Sequence, residues 1–377
     1  MRKAVGNELF ELIYEKYKIT KPIRLIELFG GIGCQFQALK NIGANVESWV
    51  YCDFDKYACK GFNAIRGTNY EPSDITKLVA KDLKIIDRDK YEYILTYSYP
   101  CQDLSISGRQ EGMKKGSSTK SSLLWEVERI LEECGKELPQ VLLLENVVEC
   151  HSDANKQDFL VWVSKLEKLG YRNWLEDLNS KHYNAPQSRE RTYMVSILGE
   201  YYYQFPNEEP LKVCTRDILE NEVNDKYYID INKLKNKNYE QSRRVYHIDG
   251  ISPTIHTCGG GDREPKIFIP FGTYYTWKNK QGEINTQCNR AMDINGVSLT
   301  VPTLSGHLKI VTDYENGIVR KLTPRECMRL MGWKDEQIDK QEEVVSKTQC
   351  YKQAGNGIVI QVLEKIFSNL IVDKNND

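Results

Sequence analysis

The sequence predicts an α/β protein with a doubly wound, mostly parallel sheet and a smaller, irregular, β-rich second domain. Between residues 23 and 198, short apolar runs alternate with segments that carry apolar residues at three- and four-residue steps, as βαβ units do. After Gly199 the chain becomes rich in Tyr, Asn, Lys and glycine turns, and the alternation is lost until about residue 320. The length of 377 residues also favours one large and one smaller domain.

The individual elements follow from these patterns in order. The strand candidates are RLIELF, ESWVYC, YEYILTYS, QVLLLEN and TYMVSIL. The crossover helices are predicted around Gln35 to Ile42, Ser122 to Glu133 and Asp158 to Leu169. Near the end, PRECMRLMGW and AGNGIVIQVLEKIFSNLI again have the residue pattern of an α/β domain, so we expect them to pack on the first domain. The predicted domains are therefore 1–200 plus 320–377, and 201–319.

Composition excludes several classes of protein. Lys and Arg number 52 against 53 Asp and Glu, so nucleic-acid binding would need a local basic surface rather than global charge. The 11 cysteines form no CxxC pair, which favours reduced thiols over a zinc site or a disulfide framework. The N-terminus is too charged for a signal peptide, and no apolar run approaches bilayer length. We expect a soluble, cytoplasmic protein without a metal.

A glycine-rich loop follows the first strand. Phe29-Gly30-Gly31-Ile32-Gly33 lies between a predicted strand and a predicted helix, where the backbone can approach a ligand closely. Asp53 comes about 20 residues later, the separation at which an acidic residue binds ribose hydroxyls. Asp74 and Ile75 could contact an adenine, although Asp74 alone also suits a helix N-cap. A GxxxxGK[ST] sequence is absent, which favours a nucleoside such as S-adenosylmethionine over a triphosphate.

Three further signals lie at strand ends. Cys101, in Tyr99-Pro100-Cys101-Gln102, follows an apolar run and precedes a polar, glycine-containing segment that suits a loop closing over a phosphate backbone. Glu145 ends the strand QVLLLEN, where a surface acid or an N-cap is the alternative. In Gln187-Ser188-Arg189-Glu190-Arg191, alternate residues share one face of an extended chain, which suits a carbonyl or phosphate ligand.

In this order and spacing, the motifs resemble the DNA (cytosine-5)-methyltransferase family, bacterial or phage type, over essentially the entire chain. FGGIG is similar to the family's first motif, PCQ to the fourth, SSLLW to the fifth, ENV to the sixth and QSRER to the eighth. Arg320-Lys-Leu-Thr with Glu326 resembles the ninth, and Gly355-Asn356 the tenth. The departures are modest: Asp53 stands where the family usually has Glu, Glu27 where it has Asp, and Lys120 where Arg is common.

The resemblance implies a class I S-adenosylmethionine-dependent methyltransferase fold with a catalytic domain, and a target-recognition domain at 201–319. It implies catalytic roles for Cys101, Glu145, Arg189 and Arg191. The implied cofactor residues are Phe29, Gly31, Ile32, Gly33, Asp53, Phe54, Asp74, Ile75, Pro100, Leu123, Asn356 and Ile358. The predicted DNA contacts are Gln102, Ser105, Gln187, Arg243, Arg244 and Arg263, with Arg290 as a further arginine of the recognition domain.

The chemistry implied is methyl transfer from S-adenosylmethionine to C5 of a flipped-out cytosine in duplex DNA, through an adduct between Cys101 and C6, with S-adenosylhomocysteine as product. PCQDLS followed by SSLLWEVERILEE resembles single-chain methylases that modify CG. A monomer is expected, and a cognate restriction endonuclease stays open. The alternatives are an RNA cytosine-5 methyltransferase, a catalytically silent DNA-binding relative, and, from the glycine loop alone, a nicotinamide oxidoreductase. Silent relatives lose the nucleophile or the glutamate, and this chain keeps both.

Overall fold

The structure is a computed structural model that describes residues 13–104, 112–229, 244–258, 263–270 and 317–372. The chain divides into two compact units. The first unit comprises Met1–Asn179, Glu190–Glu208 and Ile360–Asp377. The second unit comprises Ser180–Arg189 and Glu209–Val359. No helix among the described residues is both long enough and apolar enough to cross a bilayer.

The strands and helices of the described residues are numbered here in chain order. The strands are β1 (Glu15–Lys16), β2 (Ile23–Leu28), β3 (Val46–Cys52), β4 (Glu92–Tyr97), β5 (Val141–Asn146), β6 (Tyr171–Asn179), β7 (Gln187–Ser188), β8 (Glu190–Leu198), β9 (Tyr201–Tyr202), β10 (Val245–His247), β11 (Ser252–Pro253), β12 (Lys266–Pro270) and β13 (Gly317–Lys321). The helices are α1 (Cys34–Asn41), α2 (Lys56–Arg66), α3 (Leu124–Cys134), α4 (Lys156–Lys168), α5 (Pro324–Leu330), α6 (Asp335–Glu342), α7 (Lys347–Asn356) and α8 (Ile360–Ser368).

The first unit is built on a six-stranded sheet of order β3-β2-β4-β5-β8-β6. Strands β3, β2, β4 and β5 are parallel, and β8 runs antiparallel to both β5 and β6. Strands β2, β4 and β5 are buried at every position, as expected where helices cover both faces of a parallel sheet. This architecture confirms the predicted fold class.

Alternate residues of the sheet face a large apolar core. Ile26, Leu95 and Leu142 of the central strands pack there with Trp125 of α3 and Trp162 of α4. Helix α8 packs against α1, and the Asn41 side chain donates to Glu364 at 2.6 Å. The last helix of the described residues therefore belongs to the first unit.

The described residues of the second unit form two small sheets and helices α5 to α7. Strand β12 pairs in parallel with β10 and antiparallel with β13, while β11 pairs in parallel with β7. Helix α5 begins with a capping box, in which Thr323 accepts from the Glu326 backbone and the Glu326 carboxylate accepts from Thr323, so both orphan N–H groups are satisfied.

The division differs from the predicted domain boundaries. Residues 180–189 and 320–359 lie in the second unit, and 201–208 lie in the first. The reason is visible in the contacts after residue 320, because Arg329 donates to the carbonyls of Ile218 and Leu219. Helices α5 to α7 are thereby tied to the irregular segment that precedes them.

Candidate active site

The glycine loop joins the carboxyl end of β2 to α1. Phe29, Gly31 and Gly33 all have positive φ, at 55°, 56° and 79°, a conformation that glycine adopts without strain. A Cβ atom at Gly30 would lie 2.7 Å from the Tyr51 ring. The Tyr51 hydroxyl also donates to the Gly31 carbonyl at 2.8 Å. Strand β3 therefore supports the loop through Tyr51, whose contacts with the loop were not predicted from the sequence.

Asp53 binds the same loop. Its Oδ2 atom accepts from the Gly31 N–H at 2.8 Å, and its Oδ1 atom accepts from the Asp55 N–H, also at 2.8 Å. The shorter Asp side chain thus fixes the loop at the position where the resemblance implied a ribose ligand.

A pocket lies beside these residues in the first unit. Phe54 is 79% exposed, which is unusual for a phenylalanine, and it lines the pocket together with Asp74. The lining residues are Phe54, Pro72, Ser73, Asp74, Lys77, Leu78 and Asp82. Asp74 caps a short 3₁₀ turn by accepting from the Thr76 N–H at 3.0 Å, and this hydrogen bond lowers the pKa of Asp74. The N-cap alternative is thus correct, and the carboxylate still lines the pocket.

The other predicted cofactor residues lie in different environments. Ile32 and Ile75 are buried, and Ile75 belongs to the main apolar core, so only its backbone is suited to a polar ligand. Pro100 and Leu123 are half-buried. Asn356, which is exposed, and Ile358, which is buried, belong to the second unit. Their role at the cofactor stays a prediction.

Cys101 lies just beyond the carboxyl end of β4 and is half-buried. The Asn146 amide, at the end of β5, donates to the Tyr99 carbonyl at 3.0 Å and so ties the Cys101 segment to the neighbouring strand. The Tyr99 phenol is fully buried, which raises its pKa, and the nearby Cys101 and Glu145 raise it further. Cys101 and Glu145 therefore lie at the carboxyl ends of adjacent strands, β4 and β5, of the first unit.

Glu145 forms an ion pair with Arg191. The Nε atom of Arg191 lies 3.5 Å from Oε1 of Glu145, and their side chains are 17% and 9% exposed. The antiparallel pairing of β5 with β8 produces this contact, because it places Tyr193 opposite Glu145 and so brings Arg191 to the end of the β5 strand. Two of the predicted catalytic residues are thus in direct contact.

Gln187 and Arg189 of the QSRER segment belong to the second unit, whereas Arg191 belongs to the first. The Arg189 guanidinium is buried and donates to the carbonyls of Ile255, Gly355 and Gly357 at 2.8 to 3.1 Å. Gln187 is fully buried beside the Met331 sulfur. These contacts lie within the second unit, and a base contact for Arg189 and a DNA contact for Gln187 stay predictions. Strands β7 and β8, on either side of Arg189, belong to different sheets.

The remaining predicted DNA contacts divide into two groups. Gln102, Arg244 and Arg263 are exposed, and the Gln102 side chain accepts from Lys120 at 3.1 Å. Ser105, Arg243 and Arg290 lie outside the described residues. Within the described ranges, no group of three or more His, Cys, Asp or Glu side chains could hold a metal ion.

Comparison with known proteins identifies the family. Residues 23–372 match the family model described as C-5 cytosine-specific DNA methylase. The type II methyltransferase M.HhaI of Haemophilus parahaemolyticus is 31% identical over 367 residues, which cover 95% of this chain and 97% of that protein. The orphan methyltransferase M.SPBetaI of Bacillus phage SPbeta is 28% identical over 440 residues, 93% of this chain and 97% of that protein.

Solved structures agree on the fold. The Entamoeba histolytica methyltransferase EhMeth has a TM-score of 0.69 at 16% identity and covers 93% of this chain and 98% of its own. The S. pombe Dnmt2 methyltransferase has a TM-score of 0.64 at 20% identity and covers 92% and 96%. With Cys101 and the Glu145–Arg191 pair at the ends of adjacent strands, and with the family match across the sheet that carries them, the chain belongs to the C-5 cytosine-specific DNA methylases.

Proposed function

We propose that this methylase transfers a methyl group from S-adenosylmethionine to C5 of a flipped-out cytosine in a specific short sequence of duplex DNA. The observation that carries the proposal is the joint placement of Cys101 and the Glu145–Arg191 pair at the carboxyl ends of parallel strands β4 and β5. Ligand sites of open α/β sheets lie at this edge.

The described residues fit an adenosyl cofactor. An exposed aromatic ring, Phe54, and a carboxylate, Asp74, line one pocket, where the ring can stack on adenine and the carboxylate can accept from its amino group. The glycine loop, which Tyr51 and Asp53 hold at the adjacent strand end, permits close approach of a ligand to the backbone. When bound, S-adenosylmethionine supplies an electrophilic methyl group on a sulfonium. Asn356 and Ile358 of the second unit are proposed to complete the site.

Cys101 is the proposed nucleophile because C5 of cytosine reacts poorly until a group adds across the 5,6 double bond. As a thiolate, Cys101 adds to C6 and makes C5 electron-rich. After C5 has gained the methyl group, water removes the C5 proton, and the electron pair of that bond re-forms the double bond as the Cys101 thiolate departs. The enzyme is thus returned unchanged.

Glu145 and Arg191 are proposed to hold the base while this chemistry occurs. The Glu145 carboxyl would bind N3 and the exocyclic amine, and a proton on Glu145 would stabilise the charge that develops on the ring during addition. Arg191, which already contacts Glu145, would donate to O2. None of these groups can reach a base stacked in a duplex, so the cytosine must leave the helix.

Target recognition is proposed for the second domain, 201–319, with CG as the site. Arg244 and Arg263 are exposed there and suit contacts with phosphates or guanine edges. The relatives include both orphan and type II methyltransferases. A monomer suffices for this chemistry, and a restriction endonuclease is not required by it.

The test is to incubate purified protein with S-adenosylmethionine and unmethylated plasmid, and to map 5-methylcytosine by bisulfite sequencing. Protected cytosines in one short motif are the expected result, and CG is the expected motif. A parallel incubation with tRNA tests the RNA alternative, since transfer to tRNA alone would replace the proposal. Transfer to neither substrate, with retained DNA binding, would instead identify a silent relative.

A further inference from the structure

Ser121 contacts the chain on both sides of Cys101. Its hydroxyl donates to the Pro100 carbonyl at 2.6 Å, and its backbone N–H donates to the Oδ2 atom of Asp103 at 3.1 Å. Ser121 is fully buried and Asp103 is nearly so. A single buried residue, Ser121, therefore binds both Pro100, which precedes Cys101, and Asp103, which lies two residues after it.

The hydrogen bond to Pro100 has a specific geometric consequence. The Pro100 carbonyl belongs to the planar peptide group whose other end is the Cys101 nitrogen, so a rotation of this plane would move the Cys101 side chain. The Ser121 hydroxyl fixes the orientation of the plane through its carbonyl. On the other side, the Leu104 N–H donates to the Cys101 carbonyl at 3.0 Å, and the Asp103 carboxylate is held by Ser121. Both peptide groups of Cys101 are thus oriented.

Ser121 is itself fixed by the core. It lies in the 3₁₀ turn Lys120–Leu123, and its carbonyl accepts from the N–H of Leu124, the first residue of α3. Leu124 and Trp125 pack in the main apolar core of the first unit. The Cys101 backbone is therefore linked through Ser121 to helix α3, which packs in the core, rather than to a surface loop. The nearby contact of Lys120 with Gln102 is exposed and holds the segment weakly.

We infer that Ser121 is a positioning residue for the Cys101 thiol, acting through Pro100 and Asp103 without touching the base. The inference deepens the proposed function and rests on Cys101 as the nucleophile. A nucleophile must lie within about 0.5 Å of its productive position, and a displacement of about 1 Å costs about 10²-fold in rate. Loss of the Ser121 hydroxyl is accordingly expected to affect the chemical step more than binding.

The experiment compares Ser121→Ala with Ser122→Ala. Ser122 is a matched control because it lies in the same turn, and its hydroxyl donates to Ser117 and Thr119 rather than to the Cys101 segment. The first readout is the single-turnover methyl-transfer rate with KM for S-adenosylmethionine. The second is iodoacetamide alkylation of Cys101 without DNA, followed by mass spectrometry, with the half-buried Cys134 as internal reference.

For Ser121→Ala we expect a fall of about 10- to 100-fold in the transfer rate, a change below about threefold in KM, and alkylation of Cys101 at least about threefold faster as its backbone loosens. Ser122→Ala should behave as wild type. Wild-type transfer and alkylation in Ser121→Ala would overturn the inference, as would a fall in transfer rate matched by an equal rise in KM. If wild type itself transfers no methyl group, the proposed function fails, while alkylation still tests the positioning.

A second pair of variants keeps the inference testable if Ser121→Ala does not fold. Asp103→Asn retains an oxygen that can accept from the Ser121 N–H, whereas Asp103→Ala does not. We expect Asp103→Asn to transfer methyl groups within about threefold of wild type, and Asp103→Ala to lose about tenfold or more. Equal rates in these two variants would refute a positioning role for the Ser121–Asp103 contact.

Discussion

Arg320 and Glu326 form a bidentate ion pair in which both side chains are buried. The two guanidinium nitrogens lie 2.8 and 2.7 Å from the two carboxylate oxygens, and Glu326 also accepts from the backbone N–H groups of Glu220 and Thr323. The carboxylate therefore joins β13, α5 and the segment around Glu220. Arg320 and Glu326, which resemble residues of the family's ninth motif, therefore stabilise the second unit.

Removing one partner of this pair should be costly, because it leaves the other charge buried without compensation. We expect Glu326→Gln to lower the free energy of unfolding by about 3–5 kcal/mol. The control is Asp335→Asn, because Asp335 forms a bidentate pair of similar lengths with Arg329 but is 51% exposed. Loss of this exposed pair should cost about 1 kcal/mol or less. Urea denaturation measures both, and equal losses would contradict the role of burial.

Cys101→Ser should lose methyl transfer by roughly 10³-fold or more, because a serine hydroxyl is too weakly acidic to add to C6. The control is Cys134→Ser at the end of α3, where burial raises the thiol pKa to about 11 and no catalytic role is proposed. A radiolabelled methyl-transfer assay on plasmid DNA measures the rates, and a gel-shift assay measures DNA binding. The first variant should keep DNA binding, and wild-type turnover in it would rule out Cys101 as nucleophile.

Glu145→Gln should slow methyl transfer by about 10²–10⁴-fold, since an amide cannot supply the proton that stabilises the adduct. Cofactor affinity should change little, because Glu145 is on β5, which β4 separates from β2 and the glycine loop at its end. Glu149→Gln is the matched control on the 3₁₀ turn that follows. Single-turnover rates and calorimetric titration with S-adenosylhomocysteine separate the two effects. A large loss of cofactor affinity would indicate that Glu145 belongs to the cofactor site rather than to the site of the base.

The sequence predicted the parts of the first unit whose patterns are local. Strands β2, β3, β4, β5 and β8 and helices α1, α3 and α4 were expected because apolar runs and three- to four-residue steps need no knowledge of the tertiary structure. Strand β6 was missed because it lies at the sheet edge and carries mixed exposure without an apolar run. Helix α2 was missed although Asp55 caps its start and Gly67 ends it with φ of 71°.

The site was predictable where side chains follow strand ends and not where distant segments meet. Cys101, Glu145 and Asp53 each follow a strand of one sheet, so their convergence follows from topology. Tyr51, Asn146 and Ser121 support the site through contacts with residues 20 to 47 positions away, which spacing does not reveal. The buried contacts of Arg189 show the same limit, because its carbonyl partners come from segments beyond residue 250.

Glu27 makes stability depend on pH in the first unit. This carboxyl lies fully buried beneath the glycine loop, and burial raises its pKa to about 7, although nearby Arg66 and the Phe36 N–H oppose the shift. In the unfolded chain the Glu27 carboxyl has a pKa of about 4.3, so the folded state binds the proton more tightly. Below about pH 4 the carboxyl is protonated in both states, and Glu27 does not lower the free energy of unfolding. Its cost grows as the pH rises towards 7 and is constant above.

Glu27→Gln removes this titration while it keeps an oxygen that can accept from the Phe36 N–H. Between pH 5 and pH 8, wild type should therefore lose about 2–3 kcal/mol more unfolding free energy than the variant, and the variant should be the more stable protein at pH 8. Urea denaturation at both pH values measures the difference. Glu71→Gln, at an exposed glutamate, should follow wild type at both. Parallel losses in wild type and Glu27→Gln would mean that Glu27 stays ionised in the folded protein, compensated by Arg66.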